Sequence, residues 1–235
     1  MTTPLVLLPG MMCDARLFSP QIDVFGASRA VEVYDLASAD SVEALADEIL
    51  FAAPPRFALG GLSMGGIVAM EVLRQAPERV AGLALMDTNP LAEKDDVKTR
   101  RAPQMDKARN GQLDSVMRDE MKPNYLSDGP RRGEILDLCM DMALALGPEV
   151  FCRQSVALMN RPDQTETLHR YAGPALVLCG KQDLLCPVER HELMAGLMPQ
   201  AQLCIIEGAG HLPVLEQPDE TTAALRRWLE EIDNG

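Results

Sequence analysis

The chain has 235 residues, 47% of them hydrophobic and 24% charged, which suits one well-cored globular domain with room for an inserted subdomain. A formal net charge of −13 argues against nucleic acid or an anionic membrane surface as a partner. No apolar run approaches the ~20 residues that span a bilayer, so no membrane association is expected.

The first apolar run, Met1 to Met12, has no basic flank and no small-residue cleavage site. It is therefore read as a strand, Pro4 to Leu8, and not as a signal peptide. Five further short apolar runs read as buried strands: Ala30 to Asp35, Arg56 to Leu62, Val80 to Met86, Ala175 to Cys179 and Gln202 to Ile206. Continuous apolar runs of this length suit parallel strands covered on both faces.

Helical patterns separate them. Ser41 to Ala52 opens on a capping serine, and Val42, Leu45, Ala46, Ile49 and Leu50 follow the helical period. Met64 to Gln75 ends before Pro77. Pro187 to Leu197 begins on a proline suited to a first turn. Gln217 to Ile232 carries the single tryptophan, Trp228, which is read as packing. Alternation of strand and helix predicts a mostly parallel sheet with right-handed crossovers. The chain opens directly on Pro4 to Leu8, so a sheet of about six strands is expected, without an opening antiparallel pair.

From Asn89 to Tyr171 the alternation stops. Polar helical patterns there are punctuated by Pro103, Pro123, Pro130, Pro148 and Pro162. Ordinary loops stop at about 12–15 residues, so this stretch is read as a helical cap, 89–171, inserted in a core formed by 1–88 and 172–235. Six cysteines, Cys13, Cys139, Cys152, Cys179, Cys186 and Cys204, are scattered without a CxxC pair. They are read as small hydrophobes of a reducing, cytoplasmic compartment, and no metal site is expected from their spacing.

The chemistry centres on Gly61-Leu62-Ser63-Met64-Gly65, a G-x-S-x-G pattern. Its spelling is weakly informative, but its context is specific: an apolar strand enters it and an amphipathic helix leaves it with no loop between. Such a turn strains the serine and exposes its hydroxyl at the sheet edge, while the glycines permit close backbone approach. Ser63 is thus the candidate nucleophile.

Of the three histidines, His211 follows the last strand in Glu207-Gly208-Ala209-Gly210-His211, where small residues allow a loop to reach back over the serine. His191 and His169 read as solvated surface residues. Asp183, at the carboxyl end of the strand Ala175 to Cys179, is the candidate acid, with Asp87 at the end of the preceding strand as the alternative. An oxyanion hole requires two aimed N–H donors. The backbone N–H groups of Met64 and of Met11, in the loop Leu8-Pro9-Gly10-Met11-Met12, are the candidates. Gly10 lets that loop approach closely, and the Met11 and Met12 side chains are read as lining an acyl pocket.

Taken together, Leu8-Pro9-Gly10-Met11, Gly61-Leu62-Ser63-Met64-Gly65-Gly66, Gly180-Lys181-Gln182-Asp183 and Gly208-Ala209-Gly210-His211 resemble the α/β-hydrolase superfamily. The resemblance is greatest to its small cap-bearing carboxylesterase and enol-lactonase branch. It spans nearly the whole chain and implies a Ser63–Asp183–His211 triad under a helical cap, with no cofactor. Pro9-Gly10 stands where many relatives carry His-Gly, which leaves open how that loop is braced.

The expected activity is hydrolysis of a small-molecule carboxylic ester, thioester or lactone through an acyl-enzyme. Acyl transfer and C–C hydrolysis use the same machinery, and a non-catalytic binding protein on this fold is the contrasting alternative. Arg100, Arg101, Arg131, Arg132, Arg153 and Arg161 lie in the cap stretch. Each is a candidate clamp for a substrate carboxylate, against the ordinary reading as surface charge. Oligomeric state is not legible.

Overall fold

The structure, a computed structural model, describes residues 2–235; Met1, which opens the apolar N-terminal run, lies outside the described residues. Six strands form one sheet: β1 (Leu5–Leu8), β2 (Val31–Val33), β3 (Phe57–Leu62), β4 (Val80–Met86), β5 (Ala175–Gly180) and β6 (Ala201–Ile206). Their order is β2-β1-β3-β4-β5-β6, and every neighbouring pair is parallel. The sheet is wholly parallel where the sequence predicts mainly parallel, and all six sequence-read strands are present within a residue or two of their ends.

Residues alternate between the two faces of β1. Val6 and Leu8 pack with α2 (Val42–Ala52), α3 (Met64–Gln75) and Met194 of α8 (Val188–Leu197). Leu5 and Leu7 pack with Phe25 of α1 (Ser19–Phe25) and with Leu225 and Trp228 of α10 (Pro218–Asn234). Trp228 is fully buried in this second layer. Helix α2 starts as its sequence dictates: the Ser41 side chain accepts from the Ala44 N–H and caps the first turn.

Between β1 and β2 the chain also forms the 3-10 turn Ala15–Phe18 and α1, which the hydrophobic pattern does not signal. The segment is short and has Pro20 in its first turn, so its helical period is barely expressed. It is held by burial of Leu17, Phe18 and Phe25.

Between β4 and β5 no strand occurs among the described residues. The chain instead forms α4 (Asp95–Lys107), the helical turn α5 (Leu113–Ser115), α6 (Arg132–Met159) and α7 (Thr165–Arg170). Helix α6 is interrupted at Gly147, whose φ of 81° leaves the helical region just before Pro148. After β6 a short helix α9 (Pro213–Glu216) leads into α10. Among the described residues no helix is long and apolar enough to cross a membrane.

Candidate active site

Strand β3 delivers Ser63 and α3 leaves from the next residue, so the chain must reverse within one residue. Ser63 takes φ 55° and ψ −115°, a region that non-glycine residues rarely adopt and that is kept only when its surroundings hold it. They do here. The Ser63 N–H donates to the Met86 carbonyl at 2.9 Å, and the Thr88 hydroxyl donates to the Ser63 carbonyl at 2.7 Å. A Cβ at Gly61 would collide with the Gly65 carbonyl, and one at Gly65 would collide with the Leu8 carbonyl. These two glycines are what allow strand and helix to cross so closely.

His211 follows β6 on a loop that turns at Gly208, φ 68°. Its backbone N–H donates to the Tyr125 carbonyl at 2.7 Å. The Glu216 carboxylate, at the end of α9, accepts from the N–H groups of Gly210 and Leu212 on either side, at 2.9 and 3.0 Å. The imidazole is thereby held with Nε2 at 2.9 Å from Ser63 Oγ and Nδ1 at 2.8 Å from Asp183 Oδ2. A carboxylate accepts only, so Nδ1 carries the proton and Nε2 is left to accept from the serine hydroxyl.

Asp183 Oδ1 accepts from the N–H groups of Leu185 and Cys186, at 2.8 and 3.0 Å. Burial works against its charge, but His211 and these two N–H groups outweigh burial and hold the carboxyl below the usual range. Of the two carboxylates weighed from sequence, Asp183 is the one that meets His211.

Asp87 ends β4 at φ 43° and is fully buried. Its Oδ1 accepts from the Gly180 N–H at 2.9 Å, and its Oδ2 has no hydrogen-bond partner among the described residues. Burial, with the Asp183 charge acting in the same direction, raises this carboxyl well above the usual range. Both effects favour the protonated form of Asp87, which sits behind Asp183 and makes no contact with His211.

The sequence reading of His191 as a solvated residue is corrected by the structure. His191 is completely buried. Its Nε2 accepts from the Thr88 N–H at 3.1 Å and its Nδ1 meets the Pro187 carbonyl at 3.3 Å. Burial lowers it to about 4, so it is a neutral strut between α8 and the loop after β4. His169 is exposed, as read.

The serine opens onto a cavity of about 570 Å³ lined by Ser63, His211, Met11 and Met64 among others. The N–H groups of Met11 and Met64 donate to no acceptor among the described residues. Met64 is the first residue of α3, where helical N–H groups have no partner within the helix. Met12 and Gly10 do not line the cavity. Met12, at φ 57°, is buried in the core with its N–H on Gln154. Gly10 lies beneath Leu62 and Ser63.

Gln154 of α6 carries no signal in the sequence for its role here. Its Oε1 accepts from the Met12 N–H at 2.8 Å and its Nε2 donates to the Leu36 carbonyl at 2.9 Å. It supplies the brace for the Pro9-Gly10 loop.

Asp183, Cys186 and His211 each bring one potential metal-ligand atom within 4.8 Å of the others. Both His211 nitrogens and both Asp183 oxygens are already committed to hydrogen bonds. Burial also holds the Cys186 thiol well above its usual range and so protonated. That donor set suits an acid–base relay better than a cation.

A parallel sheet with a serine on a strained strand–helix turn, met by a histidine and an aspartate from later strand ends, defines the α/β-hydrolase fold. Residues 5–225 match the model of the Alpha/beta hydrolase family, and the chain belongs to that family. A pimeloyl-[acyl-carrier protein] methyl ester esterase of Xanthomonas axonopodis pv. citri is 28% identical over 97% of this chain and 95% of its own length. The solved structure of a thermophilic esterase from Thermogutta terrifontis, with malate bound, is 30% identical. It superposes with a TM-score of 0.90 over 98% of this chain and 90% of that one. The enol-lactonase of Burkholderia xenovorans LB400 shares the fold at 20% identity, with a TM-score of 0.87 over 98% of this chain and 92% of that one.

Proposed function

We propose that this chain is a serine hydrolase that cleaves the carboxylic ester of a small molecule through an acyl-enzyme on Ser63. The observation that carries the reading is the pair of hydrogen bonds on His211, to Ser63 Oγ at 2.9 Å and to Asp183 Oδ2 at 2.8 Å.

His211 Nε2 takes the serine proton as Oγ attacks the ester carbonyl. Asp183 holds the ring in the productive tautomer and stabilises the imidazolium that forms. The free N–H groups of Met11 and Met64 receive the charge that develops on the carbonyl oxygen. His211 then returns its proton to the departing alcohol. Water, activated by the same imidazole, releases the acid and restores Ser63. Every proton in this cycle moves between Ser63, His211, the alcohol and water, so neither metal nor cofactor is required.

Residues 89–171 act as the cap that closes the cavity over a core of 1–88 and 172–235. Similarity to proteins named as esterases supports the ester as the bond cleaved. The six free cysteines suit a reducing cytoplasm.

The reading is tested by an ester screen across acyl length and leaving group, methyl esters included, with Ser63→Ala run in parallel. Turnover that vanishes in the variant, with the fold retained by circular dichroism, is the expected result. Turnover within about tenfold of wild type in Ser63→Ala would remove Ser63 as nucleophile.

A further inference from the structure

The cavity beside Ser63 has the opposite charge character to the protein that contains it. The chain as a whole carries −13, yet Lys94, Arg100, Arg101, Arg161 and Arg190 line this cavity against only Glu93 and Glu120. Glu120 is already bound by Lys107 at 2.7 Å and by Gln104 at 3.1 Å. Glu93 is left to serve two guanidiniums.

Arg161 grips Glu93 with two parallel bonds of 3.0 and 3.1 Å, and its Nε donates to the Leu91 carbonyl at 3.0 Å. Its side chain and that of Glu93 are each 7% exposed. This is a fixed, fully engaged pair. Arg101 of α4 is different. Its Nη2 reaches the same carboxylate oxygen at a longer 3.3 Å, and its Nη1 meets only the thioether of Met11 at 3.7 Å. Its Nε has no partner among the described residues although the atom is buried. One buried and one partly buried guanidinium thus share one carboxylate, and one positive charge is left over at the cavity wall. Burial lowers Arg161 from its ordinary value, and the charge of Arg101 acts in the same direction against the support of Glu93.

Arg101 also touches the side chain of Met11, the residue that offers an oxyanion N–H. The surplus charge therefore stands in the same cavity as Ser63, against the side chain of Met11. Desolvated guanidinium donors of this kind favour a carboxylate, whose two oxygens match the planar fork.

Resting on the ester-hydrolase reading above, we infer that the substrate carries a carboxylate a short distance from the scissile ester, and that Arg101, backed by the Arg161–Glu93 pair, is its specificity determinant. The half-esters of small dicarboxylic acids and the acyl esters of small hydroxy acids share this chemistry. They differ in whether the charge departs with the acid or with the alcohol.

The test compares kcat/KM on matched charged and neutral esters of equal length, in two arms. In one, monomethyl esters of linear dicarboxylic acids are set against methyl alkanoates. In the other, acetyl esters of hydroxy acids are set against acetyl esters of alkanols. Wild type is expected to prefer the charged ester by about tenfold or more in one arm, which identifies the source of the charge. Arg101→Gln is expected to lower that preference at least tenfold, mainly through KM, and Arg101→Lys to restore part of it. In wild type alone, the preference should shrink as ionic strength rises, a readout that does not depend on any variant folding.

No preference for charge in either arm, with neutral esters still cleaved through Ser63, overturns this inference and leaves the hydrolase reading intact. A preference unchanged in folded Arg101→Gln overturns it as well. Failure to cleave any ester in either arm overturns both.

Discussion

The Met12 N–H donates to Gln154 Oε1 at 2.8 Å across 142 positions of sequence. This bond ties α6 to the loop that presents the neighbouring Met11 N–H to the cavity. The other end of the same amide holds the Leu36 carbonyl, just after β2, so Gln154 ties the oxyanion loop to that neighbouring segment while itself fully buried.

Gln154→Leu therefore leaves a buried N–H and a buried carbonyl unpaired, at about 1–3 kcal/mol for each group. It also releases the oxyanion loop. A shift of about 1 Å there lowers kcat by about tenfold to 100-fold. Thermal unfolding and ester kinetics on one variant check both effects, and a kcat within about twofold of wild type would remove the brace from the account.

Asp183→Asn is expected to lower kcat by about 10³- to 10⁴-fold, because the amide favours the wrong tautomer of His211. Asp87→Asn is expected to cost about tenfold or less, since Asp87 does not bond His211 and an amide oxygen can still accept from the Gly180 N–H. A larger loss at Asp87 would exchange the two assignments.

The same carboxyl makes a prediction about stability. The Asp87 value in the folded protein lies above its unfolded value of about 3.9. Its contribution to stability is thus complete below that pH and is lost as pH rises through the folded value. Asp87→Asn should gain stability relative to wild type as pH is raised, and equal pH dependence of the two melting curves would show that Asp87 is ionised in the fold.

His191 has the opposite sign. Its folded value of about 4 lies below the ordinary 6.5, so the neutral ring stabilises the fold above 6.5 and that stability is lost as pH falls toward 4. The shift corresponds to about 3 kcal/mol. Wild type should lose melting temperature more steeply over this interval than His191→Gln, and parallel slopes would contradict the buried-strut assignment.

Much of this architecture is legible locally. The six strands are short apolar runs bounded by turn residues, and the Ser63 turn announces itself through glycines that a strand entering a helix requires. What is not legible locally acts through tertiary contacts. His191 sits on a helix whose pattern is amphipathic, and its partner, the Thr88 N–H, lies 103 positions away. Gln154 acts on backbone groups of distant segments and Glu216 on N–H groups four and six positions back, and neither leaves a trace in residue type or spacing. Arg101 and Arg161 were among six undifferentiated arginines until Glu93 joined them. The short helix α1 was missed because tertiary burial, not helical periodicity, holds it.

Dialysis against EDTA should leave the rate unchanged, because Asp183 and His211 already spend their ligand atoms on one another and on Ser63. Inactivation that a divalent metal reverses would reassign the Asp183–Cys186–His211 cluster as a metal site.

The central claim, that His211 and Asp183 activate Ser63 as a nucleophile, is tested most directly by labelling the native protein with a fluorophosphonate and mapping the adduct by mass spectrometry. The account predicts one stoichiometric adduct on Ser63, absent from Ser63→Ala and slowed by about 10³-fold or more in His211→Asn. Labelling at another residue, or ester turnover that persists when Ser63 is not labelled, would contradict it.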